Sequence, residues 1–319
     1  MKVSRLFGYI ILTVFVLALL TVTLWNLFTV QPIFLLVFIF FSLAALVTVF
    51  IVFKEEVYHK PYVILDIKKQ GADLLAVFIG SAITYLVHIH TPLCIVLSSG
   101  LVGILSALFV KKYQVALYCG SFVGMSSPLL LGIIPFILAS ALAGFIFVLV
   151  KDVYNGFGGK LGTIAFSGAL ITSLLSGTPF LDGTPYTMNQ QWMILGFSIF
   201  ASTITYTLNV RLKLGPVLAS GYVGFFLGAM LRIFSESNGL MLAIVVIGAS
   251  FAGMSSQSRV KDERLVALSG VLFGLIFIYS GPFFGGAGGK LGTIAFLSIL
   301  SVYGLQMAFS KLRLRNQTC

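Results

Sequence analysis

Two lysines stand in identical surroundings far apart in the chain. The phrase GGKLGTIAF occupies 158–166 and recurs unchanged at 288–296, an offset of 130 (288 − 158), with Lys160 and Lys290 third in each copy. Backbone N–H groups at a helix start have no partner within the helix and favour negative charge. The lysine adds a full positive charge, and Thr163 or Thr293 adds a hydroxyl one turn on. Gly158, Gly159, Lys160, Gly162 and Thr163, with Gly288, Gly289, Lys290, Gly292 and Thr293, therefore read as paired cradles for a small anion. The chemistry is binding, not nucleotide hydrolysis, because the G-x-x-x-x-G-K-[ST] spacing is missing and no strand precedes the phrase. Packing offers a competing account: glycines for a tight turn, Gly162 and Gly292 for close helix approach, and lysines reaching lipid headgroups.

A second pair of phrases, SFVGMSS at 121–127 and SFAGMSS at 250–256, puts Ser126, Ser127, Ser255 and Ser256 where hydroxyls could line the same site. Phe122, Phe166, Phe251 and Phe296 are the candidate aromatic lining of a narrow path. His88 and His90 are two residues apart, so on a helix they point apart and make a poor metal pair. Tyr85 and Tyr206 read as core aromatics. Cys94, Cys119 and Cys319 have neither CxxC nor Cys/His spacing, so no disulfide framework, metal site or cofactor is expected.

All nine acidic residues fall in loops or near the ends of apolar runs. Proton-coupled carriers place a titrating carboxylate inside the bundle, and cation channels use acidic rings, so neither is expected. Sodium coupling through carbonyls and hydroxyls stays open. No Ser/His/Asp set is present, and the chain is not expected to be an enzyme.

The elements that position these residues follow from composition. Of 319 residues, 59% are hydrophobic and 9% charged, against about 25% charged in soluble domains. About twelve apolar runs of membrane-crossing length follow one another, the one near 115–128 being short enough to be re-entrant. The class is therefore an all-α polytopic membrane protein. The first apolar run is too long for a cleaved signal peptide and is expected to remain as a helix. The net charge of +11 is scattered through short clusters such as Lys111-Lys112 and Arg259 to Arg264. That pattern fits the positive-inside rule rather than nucleic-acid binding. It implies a bacterial-type inner (plasma) membrane, with both termini and the clusters from Lys54 to Lys69 and from Lys311 to Arg315 in the cytoplasm.

The repeated phrases belong to a longer series. SAITY (81–85) resembles STITY (202–206), Ser99-Gly100 resembles Ser220-Gly221, and LAGFIFVL (142–149) resembles LFGLIFIY (272–279), all in the same order. A tandem duplication explains them. The expected organisation is two N-terminal, peripheral helices and a loop (1–71), a five-helix repeat (72–178), an extracytoplasmic loop (179–191), and an inverted five-helix repeat with a cytoplasmic tail (192–319). Inversion would put Lys160 toward the cytoplasm and Lys290 toward the outside.

The function this implies is transport of a small anion, by facilitated diffusion or sodium symport, at the interface of the two repeats. The expected partners are that solute and the lipid bilayer, and a homo-oligomer is compatible with the sequence. One rival is a facilitator of a small neutral polar solute such as urea. Another is a non-transporting scaffold or lipid-handling protein.

Overall fold

Apolar segments of this length can satisfy their backbone groups in lipid only as helices. The computed structural model, which describes residues 2–60, 62–64 and 66–317, is built of them almost entirely. Its helices are α1 (Arg5–Val30), α2 (Leu35–Val52), α3 (Ile67–His90), α4 (Ile95–Phe109), α5 (Gln114–Gly124), α6 (Ile133–Val150), α7 (Lys160–Ser176), α8 (Met188–Tyr206), α9 (Pro216–Tyr222), α10 (Gly228–Phe234), α11 (Gly239–Gly253), α12 (Glu263–Tyr279) and α13 (Lys290–Gln317). A short ribbon pairs β1 (Lys2–Ser4) antiparallel with β2 (Tyr62–Ile64) and returns the α2–α3 connection to the first helix. Cys319 lies outside the described residues, as do the side chains of Lys2 and of residues 312–315.

Among the described residues, seven helical segments are long and apolar enough to cross a membrane: Arg5–Val30, Pro32–Tyr58, Gln70–His90, Ile133–Val150, Met188–Arg211, Pro216–Phe234 and Lys290–Lys311. Ile95–Phe109, Lys160–Ser176 and Gly239–Gly253 are apolar but shorter. The chain is a helical membrane protein. The expected run near 115–128 is helical only to Gly124, and its 11 residues reach about 16 Å at 1.5 Å per residue, roughly half the hydrocarbon thickness.

Several helix ends are set by local chemistry. Asp66 caps α3 and Asp262 caps α12 through side-chain bonds to backbone N–H groups, while Thr187 and Gln190 form a reciprocal capping box on α8. Small residues then let helices approach closely: Gly80 rests on the Leu117 carbonyl, Gly120 on that of Val77, and Gly253 on that of Ser202. These contacts join α3 to α5 and α8 to α11.

The N-terminal helices are at the edge yet specifically attached. Gly304 of α13 lies against the Ala44 carbonyl of α2, and the Thr48 hydroxyl donates to Leu300 O at 2.6 Å. Thr13 of α1 hydrogen-bonds the Tyr154 hydroxyl at 2.9 Å, and Asn26 donates to Tyr279 O at 2.7 Å. The opposite faces, with Leu36, Phe40 and Phe50, are exposed, as lipid-facing surfaces should be.

Candidate functional site

The two glycine phrases touch each other. Gly159 and Gly289 precede α7 and α13 with φ of +83° and +86°, a left-handed conformation that glycine adopts without penalty. Gly162 and Gly292 then lie with their Cα atoms face to face, leaving no room for a side chain on either. Gly159 packs on Gly292 and Phe296, and Gly289 packs on Gly162 and Phe166. These pairings run in opposite chain directions, so the two helices meet antiparallel over their first turns. The helix starts expected near opposite faces are in direct contact inside the protein.

Each serine phrase caps the glycine phrase of the other copy. Gly158 N donates to Ser255 Oγ at 3.0 Å and Gly288 N to Ser126 Oγ at 3.1 Å. Ser256 N donates to Gly156 O at 2.9 Å and Ser127 N to Gly286 O at 2.8 Å. The hydroxyls of Ser126 and Ser255 thus serve backbone donors. Thr163 and Thr293 are fully buried and bond back to the carbonyls of Gly159 and Gly289.

The lysines fold back onto the ends of the preceding helices. Lys160 Nζ donates to Lys151 O at 3.0 Å and Asn155 Oδ1 at 3.2 Å. Lys290 Nζ donates to the carbonyls of Ser280 at 2.8 Å, Gly281 at 3.4 Å and Phe283 at 2.5 Å. A cation at the C-terminal end of α6 or α12 is favoured by the helix dipole, so each lysine links two helices while its charge stays beside a helix start.

A cavity of about 330 Å³ reaches from Asp73, Lys112 and Lys151, past Asn155 and Lys160, to Phe122 and Phe251. A second, of about 240 Å³, is bounded by Met125, Tyr186, Phe277, Phe284 and Lys290. The first lies beyond the C-terminal end of α6. The two flank the touching glycine phrases, with Gly158 to Leu161 lining the first and Gly288 to Leu291 lining the second. Phe122 and Phe251 close the first cavity, with ring centroids 4.4 Å apart and neither ring more than 1% exposed. Phe166 instead packs against Phe15 and Phe284, and Phe296 against Tyr154 and Phe157. Of the four candidate phenylalanines, only Phe122 and Phe251 meet.

Charge on the walls is mainly positive. Lys112, Lys151 and Lys160 face a single carboxylate, Asp73, which pairs with Lys151 at 2.7 Å. Lys290 is the charged residue lining the second cavity. Among the described residues no group of His, Cys, Asp and Glu has the makings of a metal site. No family model matches the chain, and no curated protein and no solved structure matches it either.

The sequence motifs assign no role to a hydroxyl thread beside the phenylalanines. Ser250 donates to Ile247 O, so it accepts from Ser220 at 2.7 Å, and Ser220 in turn accepts from the Tyr118 hydroxyl at 2.8 Å. Tyr118 packs on Phe122 at 4.5 Å and on Phe251 at 6.2 Å. The resemblance of Ser99-Gly100 to Ser220-Gly221 is the signal that points to it, since buried serines in matched positions need partners.

Proposed function

We propose that the protein is a passage for small anions across the membrane, without enzymatic activity. The two cavities are its vestibules and the Phe122–Phe251 contact is its closed constriction. In this reading about twelve helical segments cross or enter the bilayer, and the repeats 72–178 and 192–319 are related by inversion about an axis in the membrane plane. The lysine-rich loops and both termini face the cytoplasm of a bacterial-type inner membrane.

One observation carries the reading. Two cavities on either side of the glycine crossing are each lined by a copy of the same lysine-bearing helix start, and their ionic walls carry more positive than negative charge. In a low-dielectric surround such walls attract anions and repel cations. The second reading, a facilitator of a small neutral polar solute, is favoured by the engagement of both ammonium groups with protein oxygens and by the aromatic plug.

Flux into liposomes containing the purified full chain separates the two readings. Chloride, nitrate and formate should enter, and Lys290→Ala should slow them at least about tenfold, the effect of losing about 1.4 kcal/mol of stabilisation. Lys290→Arg should restore part of the rate. Urea flux untouched by either change would move the assignment to neutral solutes. No flux of any of these probes would favour the scaffold or lipid-handling alternative.

A further inference from the structure

The outer surface between α3 and α4 is left unfilled by protein. Leu75, Ile79 and Ile83 recur at intervals of four residues and so form one stripe along α3. With Leu105 and Phe109 of α4 they line an apolar groove of about 450 Å³ that reaches Tyr113. All five of these apolar side chains are exposed. Gln70–His90 is long and apolar enough to cross the membrane and Ile95–Phe109 is apolar beside it, so the groove opens on hydrocarbon. An empty gap there would forfeit dispersion contacts, and a chain that fits it regains them.

The Tyr113 end of the groove is not apolar. Tyr113 lines both the groove and the first cavity, and the neighbours Ala72 and Asp73 line the groove and the cavity in turn. The two spaces therefore adjoin. Lys112, which also lines the first cavity, holds its Nζ 4.9 Å from the centre of the Tyr113 ring. Asp73 is already engaged by Lys151 at 2.7 Å, and among the described residues no carboxylate pairs with Lys112. Lys112 also stands just before α5, whose first N–H groups favour an anion. The matching residues of the second copy are different. Phe200 and Phe226 stand where Ile79 and Leu105 stand (200 − 121 = 79, 226 − 121 = 105), and the loop after α10 carries Glu236 rather than a lysine pair.

We infer that the groove and Lys112 together form a binding site for a long-chain fatty acid anion drawn from the bilayer. The tail lies between α3 and α4, and the carboxylate meets Lys112 beside Tyr113 at the mouth of the first cavity. A single gap between two helices takes a single chain, which favours a fatty acid over a two-chain phospholipid. A lysine and a tyrosine just past the end of an apolar helix suit a head group at the membrane interface. The site stands on the groove and its lysine, and it rests on the passage reading only in that its carboxylate sits at a vestibule mouth.

The test is photolabelling of the full chain in phosphatidylcholine vesicles at alkaline pH with a diazirine-bearing palmitate, followed by mapping of the labelled residues. Label should concentrate on the groove. Unlabelled palmitate should displace it, whereas hexadecanol, which has the tail without the charge, should not. Lys112→Gln should raise the palmitate concentration needed for displacement about fivefold, and Lys112→Arg should keep it. Ile79→Phe combined with Leu105→Phe, which brings in the residues of the second copy, should remove the groove label while the protein still melts cooperatively. Label spread evenly over lipid-facing residues such as Leu36 and Phe40 would overturn the inference, since it would report bulk lipid only. Equal displacement by hexadecanol, or unchanged displacement in Lys112→Gln, would overturn it too. Stronger displacement by phosphatidylglycerol than by palmitate would replace the fatty acid with a phospholipid. Anion flux in palmitate-free vesicles tells the two failures apart. Groove label without flux keeps the site and removes the passage, whereas flux without groove label keeps the passage and removes the site.

Discussion

The loop before α7 and the loop before α13 share a backbone and differ in what holds them. Tyr154 and Phe284 both have φ of 55°, and Gly156 and Gly286 both have φ of 80°. Around the first loop, Arg259 donates Nε to Asn155 O at 2.9 Å and stacks on Phe157, with its centre 4.5 Å from the ring. Its guanidinium also pairs with Glu56 beyond α2, and that carboxylate accepts Tyr154 N–H at 2.6 Å. Around the second loop, Leu130 stands where Arg259 stands (259 − 129 = 130) and is a buried apolar residue with no charge to offer. There Leu181 N donates to Gly285 O at 3.0 Å instead. Repeated residues reproduce backbone conformation, while the extra N-terminal helices decide which end receives an ionic clamp.

Removing the clamp should have the largest effect. Arg259→Ala leaves Glu56, only 13% exposed at its side chain, without its partner and should destabilise by about 3 kcal/mol. Leu130→Ala removes a fully buried apolar side chain and should cost about 2–3 kcal/mol through the cavity left behind, with no charge stranded. Adding Glu56→Gln to each variant measures the contrast by denaturation midpoint: it should recover part of the loss in Arg259→Ala and none in Leu130→Ala, and equal recovery would erase it.

The glycine crossing should behave symmetrically. Gly162→Ala and Gly292→Ala each force a methyl group into the facing backbone and should cost about 1–3 kcal/mol apiece by thermal melting. A large difference between them would mean that the two helix starts do not share the contact equally. Ser126→Ala and Ser255→Ala each strand one buried glycine N–H and should cost about 1–2 kcal/mol apiece, with slowed amide exchange at Gly288 and Gly158 lost in the matching variant.

The smallest effect concerns pH. The bond from Arg211 holds the Glu263 carboxyl down at about 2, below its usual range. A depressed carboxylate adds stability above its unfolded value of about 4.3, and that contribution fades as pH falls toward 2. Both side chains are partly exposed, so the change should be slight. Melting between about pH 5 and pH 2 should fall a little less steeply in Arg211→Ala than in the unchanged protein.

Part of the candidate site is legible in the sequence. The paired phrases and the serines of SFxGMSS do come together, and Phe122 meets Phe251, whereas Lys160 and Lys290 line separate cavities. The direction of the lysines is not legible there, because a long side chain beside a glycine turn can reach headgroups, solute or carbonyls, and only the position of the α6 and α12 ends selects the last. Likewise, Phe166 and Phe296 look like Phe122 and Phe251 in sequence, yet the antiparallel crossing of α7 and α13 turns them toward α1 and the loops.

Composition and apolar run length alone determined that this chain is helical and lies in a membrane, since no other backbone arrangement pairs its polar groups within such segments. The identity of the two nonapeptides likewise predetermined matching turns, because glycine positions govern local φ wherever they occur. Tertiary structure decided the partners: Ser255 for Gly158 and Ser126 for Gly288. A buried donor takes whichever acceptor the fold brings within hydrogen-bond reach, and separations of 97 and 162 residues put that choice beyond any local pattern.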